Sequence, residues 1–111
     1  MVEITLDKPR TLKYRWPDLR DLSRRLNGAS LSQLFTRLGE ADPDAVSMAL
    51  MVGLRHQDGK LTLDKVDELI QGFFDGGGKV ADLLNAITEA IQSSGVVRAV
   101  GGGEENAARP S

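Results

Sequence analysis

Residues 45–54 read AVSMALMVGL, apolar or small on nearly every face of a helix. Such a helix must be enclosed by the rest of its domain, because no side of it suits water. It is too short to cross a bilayer, which takes about 20 apolar residues. The chain is therefore expected to fold around this segment. Asp42 is placed to cap its start, and Pro43 falls at the first helical position, where a missing N–H costs nothing. A polar turn, HQDG, follows. Thr62 then caps a second helix with Leu63, Val66, Leu69, Ile70 and Phe73 on one side and Asp64, Lys65, Asp67 and Glu68 on the other.

The elements before this block have different periods. Val2, Ile4 and Leu6 alternate with polar residues, and so do Leu12, Tyr14 and Trp16. A period of two predicts half-buried strands, and DKPR between them reads as a tight turn, giving an antiparallel hairpin over residues 2–16. Two strands are marginal alone, so the hairpin must lie on helices. Pro17 suits a helix start, Leu19, Leu22 and Leu26 give its core stripe, and Asn27-Gly28 ends it. Ser30 and Gln33 form a capping box ahead of Leu31, Leu34, Phe35 and Leu38. After Gly76-Gly77-Gly78, read as a flexible connection, a last helix carries Val80, Leu83, Leu84, Ile87 and Ile91 and stops at Gly95. The expected fold is α+β, mostly α: an N-terminal β-hairpin and about five short helices round a central apolar helix. Residues 1–95 are expected to form one globular domain, with helices over 17–94, and residues 96–111 are expected to be a mobile Gly-rich tail.

Charge is divided unevenly. Residues 1–39 carry eight bases against four acids, and residues 40–111 carry six bases against twelve acids. The split suits either two halves that complement each other or a surface that steers a partner or a second copy. Cysteine is absent, which removes disulfides and thiolate chemistry and fits a reducing compartment. The first residues lack the pattern of a signal peptide, so a cytoplasmic, non-membrane protein is expected.

The motifs that suggest chemistry fail on their ligands. With Gly59 as the glycine of an EF-hand loop, Leu54 and Lys65 fall where calcium needs oxygen donors. His56 is the single histidine, short of a zinc set or a triad, and is read as complementing a helix end. The glycines before Lys79 lack the spacing and preceding strand of a phosphate loop. No cofactor, metal or catalytic residue is expected. Arg20, Arg24, Arg25 and Arg37, near Tyr14 and Trp16, raise nucleic-acid binding, against which stand Asp18, Asp21 and a pI of about 5.3. Phe73 and Phe74 are adjacent and cannot both face one core. A partner-binding surface is expected from Phe73, Phe74, Leu84, Ile87 and Ile91, with Val96 and Val97 as a docking segment.

The block ending in GLRH, its polar turn and LTLDKVDELI resemble the tail assembly chaperone family of long-tailed phages and gene transfer agents. The opening is similar too: VEITL and TLKYR, then DLRDLSRRLNG, then LSQLFTRLG. The resemblance covers about residues 2–75. It implies a non-enzymatic cytoplasmic protein that binds the tape measure protein, helps recruit tail tube protein subunits, and is absent from the mature virion. In that family a frameshift can append a second domain near the end of the chain. The competing expectations are a small DNA-binding regulator and a structural tail subunit.

Overall fold

The computed structural model describes residues 2–95. Two antiparallel strands, β1 (Val2–Thr5) and β2 (Pro9–Leu12), precede five helices. These are α1 (Trp16–Arg25), α2 (Leu31–Gly39), α3 (Pro43–Leu54), α4 (Leu63–Asp75) and α5 (Val80–Ser93). The mostly helical α+β class read from the sequence is the observed one.

Helix α3 is the centre. It packs against α1, α2, α4, α5 and β2, and eight of its twelve residues are buried. Its start is as expected: Asp42 accepts from the N–H of Asp44, with Pro43 in the first turn. Ser30 and Gln33 close their capping box, and Thr62 accepts from the N–H of Lys65. Each of these caps satisfies a donor that has no partner inside its helix. The buried faces of α1, α2, α4 and α5 supply Leu19, Leu22, Leu34, Leu38, Val66, Leu69, Leu83, Ile87 and Ile91 to one continuous cluster around α3.

The hairpin differs from its expected register. Val2 pairs with Leu12 and Thr5 with Pro9, so β2 spans 9–12 and not 12–16. Arg10 is the cause. Its side chain lies inward and almost buried, with Nε and Nη2 donating to the two carboxylate oxygens of Asp7 at 2.8 and 3.0 Å. An inward arginine hides the strand from an alternation of apolar residues. Leu12 and Tyr14 are buried as the period implied, but the ladder has already ended. Trp16 opens α1 instead of closing a strand, and it is 57% exposed.

The glycine connection between α4 and α5 is a closed turn. The N–H groups of Gly76, Gly77 and Gly78 donate to the carbonyls of Gly72, Phe74 and Phe73. Gly77 has φ +97°, and a Cβ on Gly78 would stand 2.5 Å from the Phe73 ring. The glycines therefore set a reversal and give Phe73 room to lie on it.

Candidate partner-binding surfaces

The GLRH turn is used inside the fold. Gly53 faces Tyr14, and Leu54 is fully buried. Arg55 reaches α1, where its Nη2 donates to Asp18 at 2.6 Å and its Nη1 to Asp21 at 2.6 Å. Asp18 also accepts from the N–H of Arg15, so one carboxylate caps α1 and holds the end of α3. His56 Nε2 donates to the carbonyl of Thr11, and Gln57 accepts from the N–H of the same residue. Lys13 donates its N–H to the carbonyl of Gly53. The outer edge of β2 is thus paired by the turn that ends α3. His56 serves the strand edge, whereas the sequence reads it as complementing a helix end.

These contacts also resolve the charge asymmetry in part. The acids Asp18 and Asp21 of the basic half meet Arg55 of the acidic half, and Arg37 meets Asp42 at 2.7 Å. Arg25 pairs with Asp21. Of the arginines that raised nucleic-acid binding, only Arg20 and Arg24 make no ion pair among the described residues. Tyr14 is buried, so it cannot stack on a base.

Two grooves with apolar linings lie at the surface of the described residues. The first lies between α1 and α2 and has a volume of about 340 Å³. Leu19, Leu26, Leu31 and Leu34 form its apolar lining, and Trp16, Arg20 and Arg24 lie on successive turns of α1 beside it. No acidic residue lines it. The second, about 420 Å³, lies between the start of α3 and α4 and reaches Val80 of α5. Met48, Ile70 and Phe74 line it, Asp44 and Asp67 supply its charge, and no basic residue lines it. Ser47 donates to Asp67 at 2.8 Å and fixes that carboxylate beside α3.

The expected binding residues are divided by this arrangement. Phe74 is 38% exposed and lines the second groove, with its ring 5.9 Å from that of Phe73. Phe73 and Leu84 are half-buried. Ile87 and Ile91 are 0% exposed and belong to the core, which corrects their reading as surface residues. Helical spacing identifies the apolar face of α5 but not what covers it, and here that face closes on the hairpin, α2 and α3. Val96 and Val97 lie outside the described residues. Trp16 was missed as a surface residue because its alternation with Tyr14 placed it in a strand. The signal that could have found it is Pro17, which belongs in the first turn of a helix and so puts Trp16 at the helix start.

Among the described residues no group of three or more His, Cys, Asp or Glu could hold a metal, and no helix is long and apolar enough to cross a membrane. Neither a protein-family model, nor a curated protein, nor a solved structure matches this chain.

Proposed function

We propose that this chain is a tail assembly chaperone of the phage type, acting by binding and without chemistry of its own. It works in the cytoplasm on the tape measure protein, helps bring tail tube subunits to it, and does not remain in the finished virion. The resemblance over residues 2–75 supports the family. The observation that carries the binding role is the groove between α1 and α2. Its leucine lining, exposed Trp16, and Arg20 and Arg24 without an ion pair among the described residues suit an amphipathic helix with apolar residues on one face and carboxylates on its flank. Tryptophan and arginine are the residues most often found at the energetic centre of interfaces. A long, helical, aggregation-prone tape measure protein would offer such segments repeatedly.

Co-expression with the tape measure protein encoded beside this chain tests the reading. The tape measure protein is expected to remain soluble with the wild-type chain and to precipitate with Trp16→Ala/Arg20→Glu. Equal insolubility with and without the wild-type chain overturns the proposal.

A further inference from the structure

The two grooves carry opposite charge, and each has what the other lacks. The first presents an exposed tryptophan beside Arg20 and Arg24. The second presents an apolar hollow beside Asp44 and Asp67, lined by Phe74. Neither arginine and neither aspartate has an ion-pair partner among the described residues. Arg20 and Arg24 stand one helical turn apart, and Asp44 stands one turn from Ser47, which holds Asp67. Each side can therefore offer two neighbouring charges around one aromatic side chain.

We infer that a second copy of this chain occupies the second groove: Trp16 of one copy seats against Phe74 of the next, with Arg20 and Arg24 facing Asp44 and Asp67. The occupant is a second copy because the complementary chemistry is present on the chain itself. Among the described residues Trp16 is the most exposed large apolar side chain, and the groove beside Phe74 can shield it from water. The paired charges set the register and are screened by salt. The two surfaces differ, so the contact is head-to-tail and leaves one free ridge and one free groove at the ends of every assembly. Trp16 cannot sit in a neighbour and in a client helix together, so self-association and client binding compete. The association itself requires no client and stands apart from the chaperone reading.

The test uses the full chain in sedimentation velocity across low to high micromolar concentration, at low and high ionic strength. The wild-type chain is expected to shift to larger species with concentration, and less so at high salt. The variants Arg20→Glu/Arg24→Glu and Asp44→Lys/Asp67→Lys, checked for retained helicity by circular dichroism, are each expected to lose association by about tenfold or more, through two reversed charge pairs. Their mixture is the decisive sample. The first variant keeps its groove and the second keeps its ridge, and the altered charges themselves are complementary, so mixing is expected to restore association. Trp16→Ala introduced into both variants is expected to abolish that recovery. A wild-type chain that stays monomeric throughout, variants that associate like the wild type, or a mixture that remains monomeric overturns the inference. So does recovery that survives Trp16→Ala in both variants. Client solubility in the co-expression experiment is read separately, so either proposal can fail alone.

Discussion

The Tyr14 ring occupies the space that a side chain on Gly53 would need. A Cβ built on Gly53 would stand 2.5 Å from the Tyr14 hydroxyl oxygen and 2.6 Å from Cζ. The hydroxyl donates to the carbonyl of Ala49, one turn earlier on α3. Burial pushes the Tyr14 phenol far above its ordinary range, with the Asp18 carboxylate adding to the effect, so it stays a donor at any ordinary pH. The small residues Ala49 and Gly53 are thus the seat on which the chain between hairpin and α1 rests.

Gly53→Ala is expected to destabilise the fold. A helix interior normally gains about 1 kcal/mol from this change. Here the methyl group would overlap an aromatic ring that is held by its own hydrogen bond, and overpacking of this kind costs about 1–3 kcal/mol. Urea denaturation decides between the two effects. A more stable variant would mean that Tyr14 is not fixed against α3.

Arg55→Lys is expected to lower stability. Its guanidinium spans Asp18 and Asp21 with separate nitrogens, which a single ammonium cannot reproduce. The side chains are 21–34% exposed, so the loss should be modest, about 1 kcal/mol for either Arg55→Lys or Arg55→Ala, and smaller at high salt. Thermal melts at two ionic strengths test this. If Arg55→Lys melts like the wild type at low salt, the fork is not what joins α3 to α1.

Acid should weaken the protein through its aspartates. The Arg10 fork holds the Asp7 carboxyl down at about 2, below its ordinary 3.8. Arg55, with Arg25, lowers Asp21, and Arg37 lowers Asp42. A carboxyl with a depressed folded value binds fewer protons when folded, so its contribution is complete above its unfolded value and fades as pH falls through the folded one. For Asp7 the loss falls between pH 3.8 and about 2. The urea midpoint measured across this window should drop, and Asp7→Asn should flatten part of the fall. An unchanged slope in that variant would refute the assignment to Asp7.

Core and surface positions should separate cleanly. Ile87→Ala removes fully buried methylenes and should cost about 2–4 kcal/mol. Trp16→Ala should change the stability of the isolated chain by about 0.5 kcal/mol or less, because the indole is mostly in water. A large loss at Trp16 would make it a packing residue and remove it from the binding surface.

Much of this architecture was legible before any coordinates. The unbroken apolar run of α3 dictates a central helix, because such a helix has no face that can meet solvent. Asp42, Ser30 and Thr62 marked helix starts because a cap needs only a side-chain oxygen within three residues, which is local chemistry. The leucine stripes of α1 and α2 followed from the 3.6-residue period in the same way. What failed was the direction in which side chains turn and what covers them. Arg10 turns inward against Asp7, only three residues away, and an inward arginine hides a strand that begins three residues before Leu12. Ile87 and Ile91 have the spacing of any amphipathic helix, and only the approach of the hairpin, α2 and α3 made them core. The sequence by itself determined the helices, their caps and the enclosure of α3, since these depend on residues a few positions apart. Tertiary structure alone decided which apolar faces were covered, that Arg55 was paired with Asp18 and Asp21, and that Trp16 and Phe74 were left beside grooves of opposite charge. Those outcomes depend on contacts between residues far apart in the chain.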